Sequence, residues 1–198
     1  MAEVTTPNYT IRYATEQDIP EILRMIQELA SYERALHEVL ATEEKLFNTL
    51  SFPTSSAEKV RNKPGAAKTL LIVPRTGDSS NNNGDDASQG GKEAVAGMAL
   101  FFNNYSTWLA KPGIFLEDLF VRPQYRKKGF GKALLQALAR ECVANDYGRL
   151  EWSVLKWNKP SIDFYESEVI GAVSTREEWE GMRVTGQALG KLAESGKV

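Results

Sequence analysis

The chain has 198 residues but only one cysteine, Cys142, and one histidine, His37. A lone cysteine excludes an internal disulfide framework and fits a reducing compartment. Cys142 falls on the apolar face of a helix-period segment, so it reads as a core residue rather than a nucleophile. A lone histidine with no cysteine beside it makes no zinc-ligand set, so no metal is expected. Charge of one sign is also lacking. The 24 basic side chains nearly balance 26 acidic ones, for a net charge of −2, which argues against a nucleic-acid partner. No apolar run approaches membrane-spanning length. Residues 1–7 lack the basic-then-apolar order of a secretion signal. These absences predict a soluble protein of the cytoplasm or nucleus with no membrane partner. The length suits a single domain over 1–198 with a sizeable core.

Apolar residues are also missing from 77–91, where Ala87 is the one exception. Such a segment cannot offset its ordering entropy. It predicts a flexible, low-complexity hairpin insertion over 76–93. Residues 1–8 read as a flexible N-terminus.

What is present concentrates in one run. The apolar segment Phe115-Leu116-Glu117-Asp118-Leu119-Phe120-Val121 leads into Arg122-Pro123-Gln124-Tyr125-Arg126-Lys127-Lys128-Gly129-Phe130-Gly131-Lys132, and an amphipathic segment over 133–143 follows. Glycines and cations therefore sit in a turn between a strand and a helix start. Backbone N–H groups at a helix N-terminus and the positive end of its dipole stabilise anions. Gly129 and Gly131 let the backbone approach a pyrophosphate closely. Arg122, Arg126, Lys127, Lys128 and Lys132 form a basic patch on an otherwise balanced surface. The dinucleotide fingerprint fails because position 134 is Leu134. The Walker pattern fails because Gly131-Lys132 is followed by Ala133 and position 126 is Arg126.

Tyr9-Thr10-Ile11-Arg12-Tyr13 reads as a first strand. Thr15 caps a helix that runs to about Tyr32, and Thr42 opens a second, short one. Strands follow at 68–73, 94–102 and 115–121, then the central helix, and a strand at 149–155. A helix opens at Pro160, and a final pair of strands is expected at 169–174 and 178–184. This order predicts an α/β domain with a mixed sheet.

Arg126-x-x-Gly129-x-Gly131 resembles the pyrophosphate loop of the GNAT acetyltransferase superfamily. Four further blocks resemble its diamine (spermidine/spermine) and thialysine acetyltransferase branch. They are Ile11-Arg12-Tyr13-Ala14-Thr15, Glu28-Leu29-Ala30-Ser31-Tyr32-Glu33, the 115–121 strand, and Trp157-Asn158-Lys159-Pro160-Ser161-Ile162-Asp163-Phe164-Tyr165. The resemblance implies a GNAT fold, a mixed and mostly antiparallel sheet flanked by helices. It also implies a homodimer that uses acetyl-CoA to acetylate the primary amine of a small polyamine or lysine analogue. The alternative is a protein lysine or N-terminal acetyltransferase.

Acetyl transfer needs a neutral amine, yet a free alkylamine has a pKa near ~10. It also needs a donor for the oxyanion and a proton for the departing sulfur. Glu117 is the candidate base, acting through water, or else a carboxylate that holds the cationic substrate. At the centre of an apolar strand, partial burial would make it the better proton acceptor. Asp118 points to the opposite strand face by alternation unless a bulge re-aims it toward substrate. The resemblance makes Tyr165 the acid. It assigns Leu119, Phe120, Val121, Arg126, Lys127, Lys128, Gly129, Phe130, Gly131, Lys132, Asn158 and Ser161 to the coenzyme, with the Leu119 N–H as the oxyanion donor. Substrate contacts fall to Tyr32, Glu33, Glu117, Asp118, Glu177 and Trp179. His37 stands where polyamine enzymes carry an acidic residue, which favours a shorter or zwitterionic amine. Arg176 is a candidate partner for the carboxylate of such an amine. Glu166 to Ile170 lengthen the segment between Tyr165 and Gly171-Ala172 beyond the family's usual spacing.

Overall fold

The computed structural model describes residues 3–52, 65–75, 94–174 and 182–194. The chain forms two compact units, Met1–Ser153 and Val154–Val198. In the first unit, β1 (Val4–Thr5) and β2 (Tyr9–Tyr13) precede α1 (Ile19–Tyr32) and α2 (Glu43–Thr49). β3 (Lys68–Pro74), β4 (Gly97–Ser106) and β5 (Lys111–Val121) follow, then α3 (Phe130–Ala144) and β6 (Leu150–Trp152). The six strands lie in chain order in one sheet. Every pairing is antiparallel except β5 with β6. The mixed, mostly antiparallel sheet expected from the sequence is therefore present.

Local chemistry sets the element boundaries. The Thr15 backbone N–H and hydroxyl both donate to the Asp18 carboxylate, at 2.7 and 2.9 Å. This reciprocal cap opens a single 3-10 turn that leads into α1. Thr42 Oγ1 accepts from the Lys45 N–H at 3.2 Å and starts α2. The centre of β3 and the first half of β4 are buried on both faces, so they read as continuous apolar runs rather than as alternation. Leu71, Val73, Met98, Leu100 and Phe120 join Ile22 and Met25 of α1 in one core. Tyr9 packs edge-on against Phe130 of α3 on the other face, and the Tyr13 hydroxyl donates to Glu141 of α3 at 2.7 Å. Cys142 is buried there, as expected.

The β4–β5 ladder contains one irregularity. Leu100 pairs with Asp118 but Phe101 pairs with Leu116, which leaves Glu117 as an extra residue on β5. A one-residue bulge reverses the alternation beyond it. Leu116 therefore shares the α3 face with Phe101, while Asp118 and Phe120 share the α1 face with Leu100 and Met98.

Arg122 was expected in the exposed basic patch; instead its guanidinium is buried. It donates to Glu28 through Nε at 3.0 Å and Nη2 at 2.8 Å, to Glu21 at 2.6 Å and to the Val95 carbonyl at 3.1 Å. The same reversal that turns Phe120 toward α1 carries Arg122 there two residues later. The N-terminus also differs from expectation, because β1 pairs with β2 over Val4↔Ile11 and Thr5↔Thr10. The tight turn between them closes when the Thr6 N–H donates to the Tyr9 carbonyl at 2.9 Å and Thr6 Oγ1 accepts from the Tyr9 N–H at 3.1 Å.

The second unit holds α4 (Lys159–Glu166) and α5 (Gly186–Glu194). The strand expected at 169–174 is a turn and irregular chain instead. The Gly171 N–H donates to the Ser167 carbonyl at 2.7 Å, and the Ala172 N–H donates to the Tyr165 carbonyl at 3.0 Å. The backbone donors of this stretch thus close a turn at the end of α4 and are spent before a ladder could use them. Residues 182–184 of the second expected strand are irregular. The remainder, with Arg176, Glu177 and Trp179, lies outside the described residues, as does the expected insertion at 76–93.

Removing one partner of a buried ion pair leaves an uncompensated charge. Arg122→Met should cost about 3 kcal/mol in urea unfolding. A loss below about 1 kcal/mol would place this network in the class of surface ion pairs.

Candidate active site

Three features meet at the C-terminal end of β5. The first is its open edge. β6 pairs with β5 only over Ile114↔Leu150, Phe115↔Glu151 and Leu116↔Trp152. Beyond Leu116, β5 has no strand partner on that side among the described residues. The Ile114 N–H, before the bulge, donates to the Arg149 carbonyl at 3.0 Å, toward β6. The Arg122 N–H, after it, donates to the Ala96 carbonyl at 2.9 Å, toward β4. Counting back by alternation from Arg122, the N–H and C=O of Leu119 and Val121 face the open edge. Without the bulge, even-numbered residues would face it along the whole strand.

The second feature is the glycine loop. Gly129 caps α3 at φ +82°, and Lys127 also lies in the left-handed region at φ +61°. Lys127 adopts this conformation at a cost of about 1 kcal/mol or more. A Cβ on Gly129 would meet nothing within 4 Å, so the glycine answers a backbone need and the space beside it is open. No side chain caps the start of α3, which leaves first-turn N–H groups for a ligand. Arg126 Nε donates to the Val121 carbonyl at 2.9 Å. Its four terminal N–H donors meet no acceptor among the described residues. The loop thus offers backbone donors, open space and cations, the donor set that a coenzyme pyrophosphate requires.

The third feature is acidic. Glu117 is exposed on the bulge, not partly buried as the sequence suggested, because the extra residue is pushed out of the ladder. The carboxyl drawn inward, and partly buried, is its neighbour. Burial lifts Asp118 from 3.8 to about 6, helped by the negative charges of Glu117 and Glu33. Burial also raises the Glu33 carboxyl. Glu33 follows directly on α1, and a left-handed Arg34 (φ +62°) ends the turn. The reversal at the bulge brings Asp118 to the side where α1 ends. Tyr32, the last residue of α1, lies under the Arg126 guanidinium with Cζ 5.3 Å from its ring centre. His37 is exposed beside Glu38.

In the second unit, Asn158 is buried and its side chain accepts from the Ser161 N–H, capping α4. Tyr165 is half-buried beside Phe164, with ring centres 5.4 Å apart. Sequence reasoning placed Arg122 in the surface basic patch and missed its structural role. The signal was available in Glu21 and Glu28, two turns apart on one face of α1 and bordering its apolar stripe.

A carboxyl whose folded-state value is raised contributes its full stability below the unfolded value. That contribution is lost as the pH climbs through about 6. Between pH 4 and pH 7 the wild type should lose up to about 3 kcal/mol relative to Asp118→Asn in urea unfolding. Parallel pH profiles for the two proteins would show that Asp118 is solvated.

Comparison with known proteins bears on this site directly. Residues 78–172 match the family model described as acetyltransferase (GNAT) family. An L-ornithine N5-acetyltransferase of Arabidopsis thaliana is 36% identical, over 90% of this chain and 85% of its own. A thialysine N-epsilon-acetyltransferase of Caenorhabditis elegans is 32% identical, over 94% of this chain and 98% of its own. A solved integron cassette protein from the mobile metagenome of V. cholerae superposes with a TM-score of 0.66 at 23% identity, covering 94% of this chain and 98% of that one. The glycine loop, the open strand edge and these relatives agree, and the chain belongs to the GNAT family of N-acetyltransferases.

Proposed function

We propose that the protein moves an acetyl group from acetyl-CoA to the terminal amine of a small cationic substrate. Amino acids such as ornithine or thialysine, and short diamines, fit this description. The observation that carries the reading is the grouping of Glu33, Glu117 and Asp118 next to the open edge at Leu119. Carboxylates at that point attract a cationic amine and can take its proton. The relatives named for ornithine and thialysine support the amino-acid form of the substrate.

Acetyl-CoA supplies an activated thioester when bound. Arg126, Lys127, Lys128, Lys132 and the N–H groups of Gly129, Phe130 and Gly131 hold its pyrophosphate. Val121, Asn158 and Ser161 would hold the rest of the coenzyme, whereas Phe120, also expected there, packs its side chain into the core. Asp118 and Glu33 hold the ammonium form of the substrate, and Glu117, exposed to solvent, accepts its proton through water. The neutral amine then attacks the carbonyl carbon. The Leu119 N–H donates to the carbonyl oxygen as negative charge develops there. Tyr165 gives its proton to the sulfur as the carbon–sulfur bond breaks and regains one from the nitrogen as the amide forms; the ammonium thus sheds two protons, one through Glu117 to solvent and one to the thiol, with a net release of one. A homodimer, implied by the family resemblance, belongs to the same reading and is checked by light scattering.

Initial rates of thiol release should favour ornithine, thialysine or a diamine over a histone-tail peptide. Turnover on the peptide alone would move the protein to the protein-acetylating reading. Glu117→Gln and Tyr165→Phe should each lower kcat about a hundredfold or more. A KM effect on the amine with unchanged kcat in Glu117→Gln would make Glu117 a substrate anchor instead.

A further inference from the structure

Arg126 belongs to the loop assigned to the coenzyme, whereas Tyr32 was assigned to the amine. The structure joins them. The Arg126 guanidinium lies 5.3 Å from the Tyr32 ring centre and 6.0 Å from that of Phe120. Its Nε is engaged by the Val121 carbonyl at 2.9 Å. A guanidinium between two rings and one carbonyl is held at its inner edge and along its face. The outer edge, with four N–H donors, meets no acceptor among the described residues.

We propose that Tyr32 is a positioning residue for the coenzyme, acting through Arg126. Its ring holds the guanidinium extended, with the terminal donors presented to an anionic ligand. The inference rests on the reading of the Arg126–Lys132 loop as the pyrophosphate site. Arginine loses much rotamer freedom on binding, and a residue immobilised beforehand does not lose it when the ligand arrives. The aromatic face provides that immobilisation through cation–π attraction. The hydroxyl of Tyr32 is not required for it. Phe120 supplies the floor from the same side of β5 because the bulge turns it toward α1. A loop that reads as purely basic in sequence is thus given its geometry by a residue about ninety positions earlier.

The test is the affinity of the intact enzyme for free CoA, measured by calorimetry, for wild type, Tyr32→Phe, Tyr32→Leu, Arg126→Gln and the Tyr32→Leu/Arg126→Gln double variant. Tyr32→Leu should weaken CoA about two- to fivefold, the loss expected of one such contact. Tyr32→Phe should stay within about twofold of wild type, because the ring remains. In the Arg126→Gln background, Tyr32→Leu should cost nothing further. The KM for acetyl-CoA should follow the same order while the KM for the amine holds. Unchanged CoA affinity in Tyr32→Leu, with a raised amine KM, would overturn the proposal and make Tyr32 a wall of the amine site. Equal losses with and without Arg126 would overturn it too. If the wild type fails to bind CoA at all, the functional reading itself falls and the proposal falls with it.

Discussion

The extra residue at Glu117 is the constraint on which the site depends. One unpaired position in β5 exchanges the two faces of everything downstream. It places the Asp118 carboxyl on the side of α1, sends Arg122 inward, and points the Leu119 and Val121 backbone groups at the open edge. A regular strand would direct Asp118 at α3 and give those backbone groups to β4. The bulge also accounts for the difference between neighbouring carboxylates. Glu117 is pushed into solvent while Asp118 is drawn into a desolvated position, so two acids adjacent in sequence carry distinct chemistry.

Helix α1 is the second support. It is tied to the end of β5 by Arg122 at two points, Glu21 in its first turn and Glu28 two turns later. Its last residue, Tyr32, and the following Glu33 reach the acidic group and the glycine loop. The buried ion network therefore fixes a lever whose far end carries site residues. Burying a charged group that could be replaced by apolar packing is costly, and here the network holds a helix in register with a strand end.

Much of this was legible in the sequence because it rests on local chemistry. The glycine loop between strand and helix, the Thr42 and Asn158 caps and the apolar runs of β3 and β4 all follow from residues within a few positions of one another. The bulge stood only as an alternative: adjacent Glu117 and Asp118 interrupt the period of two, but where the extra residue falls is a property of the pairing with Leu100 and Phe101. Arg122 looked like its basic neighbours because its partners lie about a hundred residues earlier. The strand expected at 169–174 failed for a local reason: Gly171 at φ +68° closes a turn on α4, and the β-branched residues around it suggested extension. The Arg126–Tyr32 contact depends on the chain path between distant elements and leaves no mark in either segment.

Cys142 lies at 6% exposure on α3, its thiol pushed up by burial and by the negative charge of Glu141. It is the only sulfhydryl in the chain. The protein in its folded state therefore presents almost no thiolate to an alkylating or disulfide reagent. Any sulfhydryl that appears during the proposed reaction would therefore come from the reaction and not from the catalyst, leaving a nearly silent background in colorimetric thiol detection. Labelling of Cys142, conversely, would report opening of the α3 face.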